Sequence, residues 1–166
     1  FCKKITTVLR GRAWQPRYII RSIFGVYPLV FATYDSDRMR QRIREELEST
    51  RYDLVHIEPG YVFPSIPAVD LPMVVAEHNI EHVVYDGYVR RFPIVPIRPL
   101  LFADVVKLRF WERRVWKRAD GVIAVSREDA REISAITGTD RVSVVTNAVA
   151  VSEFQFTPKK TCSAHA

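Results

Sequence analysis

Two histidines and two acids crowd the stretch 77-EHNIEH-82: Glu77, His78, Glu81 and His82. Read as a pattern, His78, Glu81 and His82 spell H-x-x-E-H, the inverted zinc-peptidase motif, in which two histidines one helical turn apart hold a metal beside a glutamate base. The chemistry open to the stretch depends on where its helix begins. If 73-MVVAE-77 is a strand, His78 stands at its carboxyl end, Asn79 is a natural N-cap, and the helix runs from Ile80 onward. His78 then precedes the helix and His82 lies inside it, so the two do not share a helical face. A zinc site also needs a third protein ligand, which no later motif supplies, so no metal is expected.

The elements that must position these residues are legible as an alternation. Short apolar β-rich runs at 4-KITTVL-9, 53-DLVHI-57, 73-MVVAE-77, 121-GVIAV-125 and 141-RVSVVT-146 are separated by helical patterns. That order predicts an α/β fold, a Rossmann-like open parallel sheet with helices on both faces. Helices are expected over 16–24, with Pro16 in the first turn and Gly25 past the end, and over 35–50, entered through Asp35 and Ser36. Another follows Ser126, which caps it with Asp129 three residues on, and stops at Gly138. The proline-rich stretches 59–72 and 93–99 read as loops, the second leading into a long basic helix. In open parallel sheets ligands bind beyond the carboxyl ends of the strands, which singles out Glu58 and His78.

With 166 residues, 48% hydrophobic and 27% charged, the chain fits one globular domain. No apolar run approaches the roughly 18 to 20 residues that span a bilayer, and the first residues lack the plan of a secretion signal. Cys2 and Cys162, near opposite ends, form neither a disulfide framework nor a metal cluster. A cytoplasmic place is the expectation. Net charge is +6, partly gathered in 107-KLRFWERRVWKR-118, where Leu101, Val105, Leu108, Trp111, Val115 and Ala119 form a core stripe. Phe110 and Trp116 lie off that stripe. Aromatics among Lys107 to Arg118 suit a peripheral contact with an anionic membrane. No nucleic-acid module is present, so nucleic acid is not an expected partner.

Four fragments taken in order carry a family resemblance: 52-YDLVHIEPG-60, 77-EHNIE-81, 120-DGVIAVSREDA-130 and 142-VSVVTNAVAVSEF-154. Together they resemble the N-terminal, acceptor-side domain of retaining glycosyltransferases of the two-domain GT-B architecture, glycosyltransferase family four. The resemblance implies transfer of a sugar from a nucleotide-sugar donor to an acceptor hydroxyl with retention, without metal or other cofactor. It implies that His78 points into the interdomain cleft beside the reacting centre. An imidazole suits that place because it can donate or accept a hydrogen bond. Glu58, Asn79, Glu81, Ser126 and Asn147 are the further substrate-binding candidates. Local structure also explains several of them: a cap for Asn79 and Ser126, a first-turn acid for Glu81. Glu77 and Asp120 are given structural roles first.

The sequence departs from the family pattern in places. Ala148 stands where the family has Gly, and Ala150 where it often has Asp. No glycine-rich loop precedes Phe1, and no glutamate pair of the spacing found in the donor-binding half occurs. The expectation is an incomplete GT-B half over 1–156, truncated at both ends, with a disordered tail over 157–166, a missing C-terminal donor-binding domain, marginal stability and no activity in isolation. Two alternatives stay open: a GT-B sugar-nucleotide epimerase, and a non-catalytic basic domain that binds membrane surfaces.

Overall fold

A computed structural model describes residues 3–12 and 14–150. Cys2, Cys162 and the tail 157–166 lie outside the described residues. Three helices come first: α1 (Pro16–Phe24), α2 (Leu29–Tyr34) and α3 (Asp37–Ser49). The strands and further helices follow: β1 (Val55–Ile57), β2 (Met73–Glu77), α4 (Glu81–Arg91), α5 (Arg98–Arg118), β3 (Gly121–Ala124), α6 (Arg127–Thr137) and β4 (Val142–Val144). The strands form one parallel sheet in the order β1-β2-β3-β4. Helices flank it, as expected for a Rossmann-like α/β unit.

Apolar burial holds the layers together. Ile57, Val75, Val122 and Ala124 from the sheet meet Phe31 from α2, Leu108, Val115 and Trp116 from α5, and Ile133 from α6. Asp120 stitches the base of the sheet. Its carboxylate accepts from the Met73 amide at 2.8 Å and its own amide donates to the Met73 carbonyl at 2.8 Å.

Several sequence expectations need correction. The run 4–9 makes no strand; Ile5 and Leu9 stay exposed, because β-branched residues express their preference only against a partner ladder, and none pairs with them. α2 was not foreseen, since LVFATY has no polar face to give it a helical period. The proline-rich stretch holds a 3-10 helix at Gly60–Ser65, whose i to i+3 bonds tolerate Pro64. Trp116 is fully buried rather than on the open face, while Trp111 is only half-buried. No described helix is long and apolar enough to cross a membrane.

Candidate functional site

Because all four strands run parallel, their carboxyl ends share one edge of the sheet. Glu58 directly follows β1, His78 directly follows β2, Ser126 lies just past β3, and Asn147 lies beyond β4. Four candidates from distant parts of the sequence thus follow neighbouring strand ends. Two of them touch. His78 Nε2 stands 2.7 Å from Glu58 Oε1, with the two side chains 47% and 49% exposed. His56 Nε2 approaches the other carboxylate oxygen of Glu58 at 3.9 Å. A carboxylate on one imidazole nitrogen favours the proton there, leaving Nδ1 as an acceptor. Beside this pair opens a cleft of about 570 Å³, lined by Glu58, Tyr18, Tyr34, Asp35 and three arginines, Arg10, Arg17 and Arg21.

The other candidates divide between contact and structure. Ser126 caps α6: its Oγ accepts from the Asp129 amide at 3.0 Å and donates to Asp129 Oδ2 at 2.7 Å. Asn147 is exposed on the coil after β4. Asn79 is exposed next to His78 but is not the cap expected of it. Helix α4 begins one residue later, with Ile80 at the N-cap and no side-chain cap from its own segment.

The cap comes from another helix. Glu112, 3% exposed on α5, accepts from the Glu81 amide at 2.8 Å, the His82 amide at 3.1 Å and His82 Nδ1 at 2.7 Å. A carboxylate there also meets the positive end of the helix dipole. His82 is therefore spoken for inside the fold, while His78 faces outward from the turn before the helix. The H-x-x-E-H pair does not share a helical face, and among the described residues no three His, Cys, Asp or Glu side chains group as a metal would need.

Glu77 forms the second buried acid. It accepts from Trp116 Nε1 at 2.9 Å and from the Gly60 amide at 3.3 Å. Burial, reinforced by Glu112 nearby, pushes its carboxyl up to about 8. Gly60 is needed for this approach, since a Cβ there would collide with the Glu77 carboxylate. Burial and then Glu112 also raise Glu81, which is half-buried beside Tyr34, Tyr61 and Tyr85. Sequence reasoning gave Glu77 a structural role but missed Glu112. The signal was there: Glu112 lies four residues after Leu108 and three before Val115, on the stripe that faces the core.

Comparison with known families gives a match to the model described as Glycosyltransferase Family 4 over residues 5–153. Comparisons with curated proteins and with solved structures gave no match.

Proposed function

Since the chain belongs to Glycosyltransferase Family 4, we propose that it serves the transfer of a sugar from a nucleotide-sugar donor to an acceptor hydroxyl, with the anomeric configuration retained. In this reading the chain supplies the acceptor side of the cleft and His78 its central polar group. The observation that carries it is the His78–Glu58 pair at the shared strand edge. Glu58 fixes the imidazole, and the free ring nitrogen holds a sugar hydroxyl in place, so that binding energy is spent on orientation at the reacting carbon. Asn79 next to His78, Glu81 in the first turn of α4, and Ser126 and Asn147 on the neighbouring strand ends extend the polar surface toward donor and acceptor.

Departure of a nucleoside diphosphate needs its growing charge neutralised. A second lobe, closing over this edge, supplies the phosphate-binding groups, and no metal or further cofactor is required of the chain's own side chains. The test is nucleoside diphosphate release from a panel of nucleotide sugars by the complete protein with that lobe present, with and without acceptor alcohols. Acceptor-dependent release with a retained anomer supports transfer. Conversion of the donor to its epimer without any acceptor would replace transfer by epimerisation.

A further inference from the structure

The cleft beside the His78–Glu58 pair carries more positive charge than its own carboxylates absorb. Asp35 on its wall is taken twice, by Arg21 Nη2 at 2.5 Å and by Arg40 Nη2 at 2.7 Å. Glu58 turns its two oxygens toward the imidazoles of His78 and His56. Arg10 and Arg17, both exposed and both on the cleft wall, have no carboxylate within ion-pair distance among the described residues. Each lies over a tyrosine instead. The guanidinium carbon of Arg10 is 4.5 Å from the centre of the Tyr34 ring, and that of Arg17 is 4.6 Å from the centre of Tyr18. The Tyr18 hydroxyl also accepts from Arg17 Nη2 at 2.8 Å. Such a ring restrains a long side chain without neutralising its charge. The Arg17 head rests against Gly11, where a Cβ would stand 2.7 Å from Nη2, so it lies beside the residue that follows Arg10. Two like charges are thus held on one wall of a cleft, which concentrates their field there.

We propose that the acceptor is an anionic hydroxyl compound, one bearing a phosphate or carboxylate group that Arg10 and Arg17 grip while its hydroxyl meets His78. The inference rests on the transfer reading above and names the chemical class of the acceptor. A guanidinium fork matches the oxygens of either anion, donating two parallel hydrogen bonds. The cleft volume of about 570 Å³ accommodates a molecule of monosaccharide size. A neutral acceptor filling it would strip water from both guanidiniums and return no counter-charge, which opposes binding. An anionic one replaces the lost water with charge-assisted bonds, and the fixed distance from anion to hydroxyl orients the hydroxyl at the His78 end. The donor diphosphate is the competing anion, and the kinetics below separate the two.

The test is made on the complete protein that carries the second lobe. Calorimetry without donor compares glucose and mannose with their 6-phosphates and their uronic acids. The anionic forms should bind at least roughly tenfold tighter than the neutral sugars, and phosphate against carboxylate tells which anion the arginines prefer. The double variant R10Q/R17Q should weaken that binding roughly a hundredfold, from the loss of two charge-assisted contacts. The double variant R44Q/R131Q, which removes the same charge from exposed positions outside the cleft, should bind as wild type. With nucleotide sugar added, R10Q/R17Q should raise the KM of the anionic acceptor and leave the KM of the donor unchanged. Circular dichroism confirms that each variant keeps its fold. Failure of every anionic probe to bind, equal binding of the neutral sugars, or undiminished binding by R10Q/R17Q would overturn the proposal. So would a rise in the KM of the nucleotide sugar alone, which would give the arginines to the donor diphosphate. Anion binding that R10Q/R17Q abolishes in a protein that transfers no sugar would keep the anion site and sink the transfer reading. Transfer to neutral acceptors that R10Q/R17Q leaves untouched would do the reverse.

Discussion

Glu112 shows how a single side chain can serve two helices. A helix start normally draws its cap from the residue just before it, and Asn79 is the obvious donor of that service in the sequence. The described geometry gives the work to an acid 30 residues on, through the Glu112 bonds to the His82 amide and ring. The difference matters because the capped turn carries His78 at its outer end. Glu112→Ala should leave two amides and an imidazole unpaired inside the fold, a loss of roughly 3 kcal/mol or more in urea unfolding. Glu112→Gln, which keeps one acceptor, should lose less. Glu77 gives a pH prediction. Its folded carboxyl is raised above the ordinary value of 4.5 to about 8, so its contribution is fully present below 4.5 and is lost as pH rises toward 8. The melting temperature should fall across that window, and Glu77→Gln should flatten the fall. A wild-type melting temperature that rises over the same range would contradict the burial reading.

At the scale of elements, helix ends were the most legible features and isolated apolar runs the least. Ser126 and Gly138 bound α6 as their residue types dictate: the hydroxyl accepts from Asp129, and Gly138 takes a left-handed φ of 71°. Ser126→Ala should cost about 1 kcal/mol. Gly138→Ala should cost a similar amount, because a Cβ disfavours that backbone even where space is open. Thermal melts of the two variants check both, and the serine variant should cost as much in the absence of any sugar ligand. Strand β2 was readable to the residue, since four consecutive apolar positions, Met73 to Ala76, run into the Glu77–His78 pair. The run 4–9 looked equally good and makes no strand, because local sequence cannot say whether a partner strand is at hand. Trp116 was misplaced for a related reason. The stripe through Trp111 and the stripe through Glu112 and Trp116 differ by a small rotation of α5, and an acid on the second hid the true one. The contacts that settle the rotation, Trp116 with Glu77 and Glu112 with His82, join elements far apart in sequence.

For the whole molecule, topology gathers the site. A parallel sheet delivers the residues after each strand to one edge, so candidates found separately, Glu58, His78, Ser126 and Asn147, become neighbours in strand order without any motif joining them. Their arrival at one edge was legible from the alternation of elements. The direct bond between His78 and Glu58 was not, because it depends on the pairing of β1 with β2 that sets Ile57 beside Val75. The most direct measurement of the account is the turnover of nucleotide-sugar-dependent transfer by His78→Ala beside wild type, both in the complete protein that carries the phosphate-binding lobe, with unfolding curves to show that both are folded. A loss of roughly a hundredfold or more in kcat is expected, in keeping with the removal of a positioned polar group at the reacting centre. Turnover unchanged in a folded His78→Ala protein would contradict it.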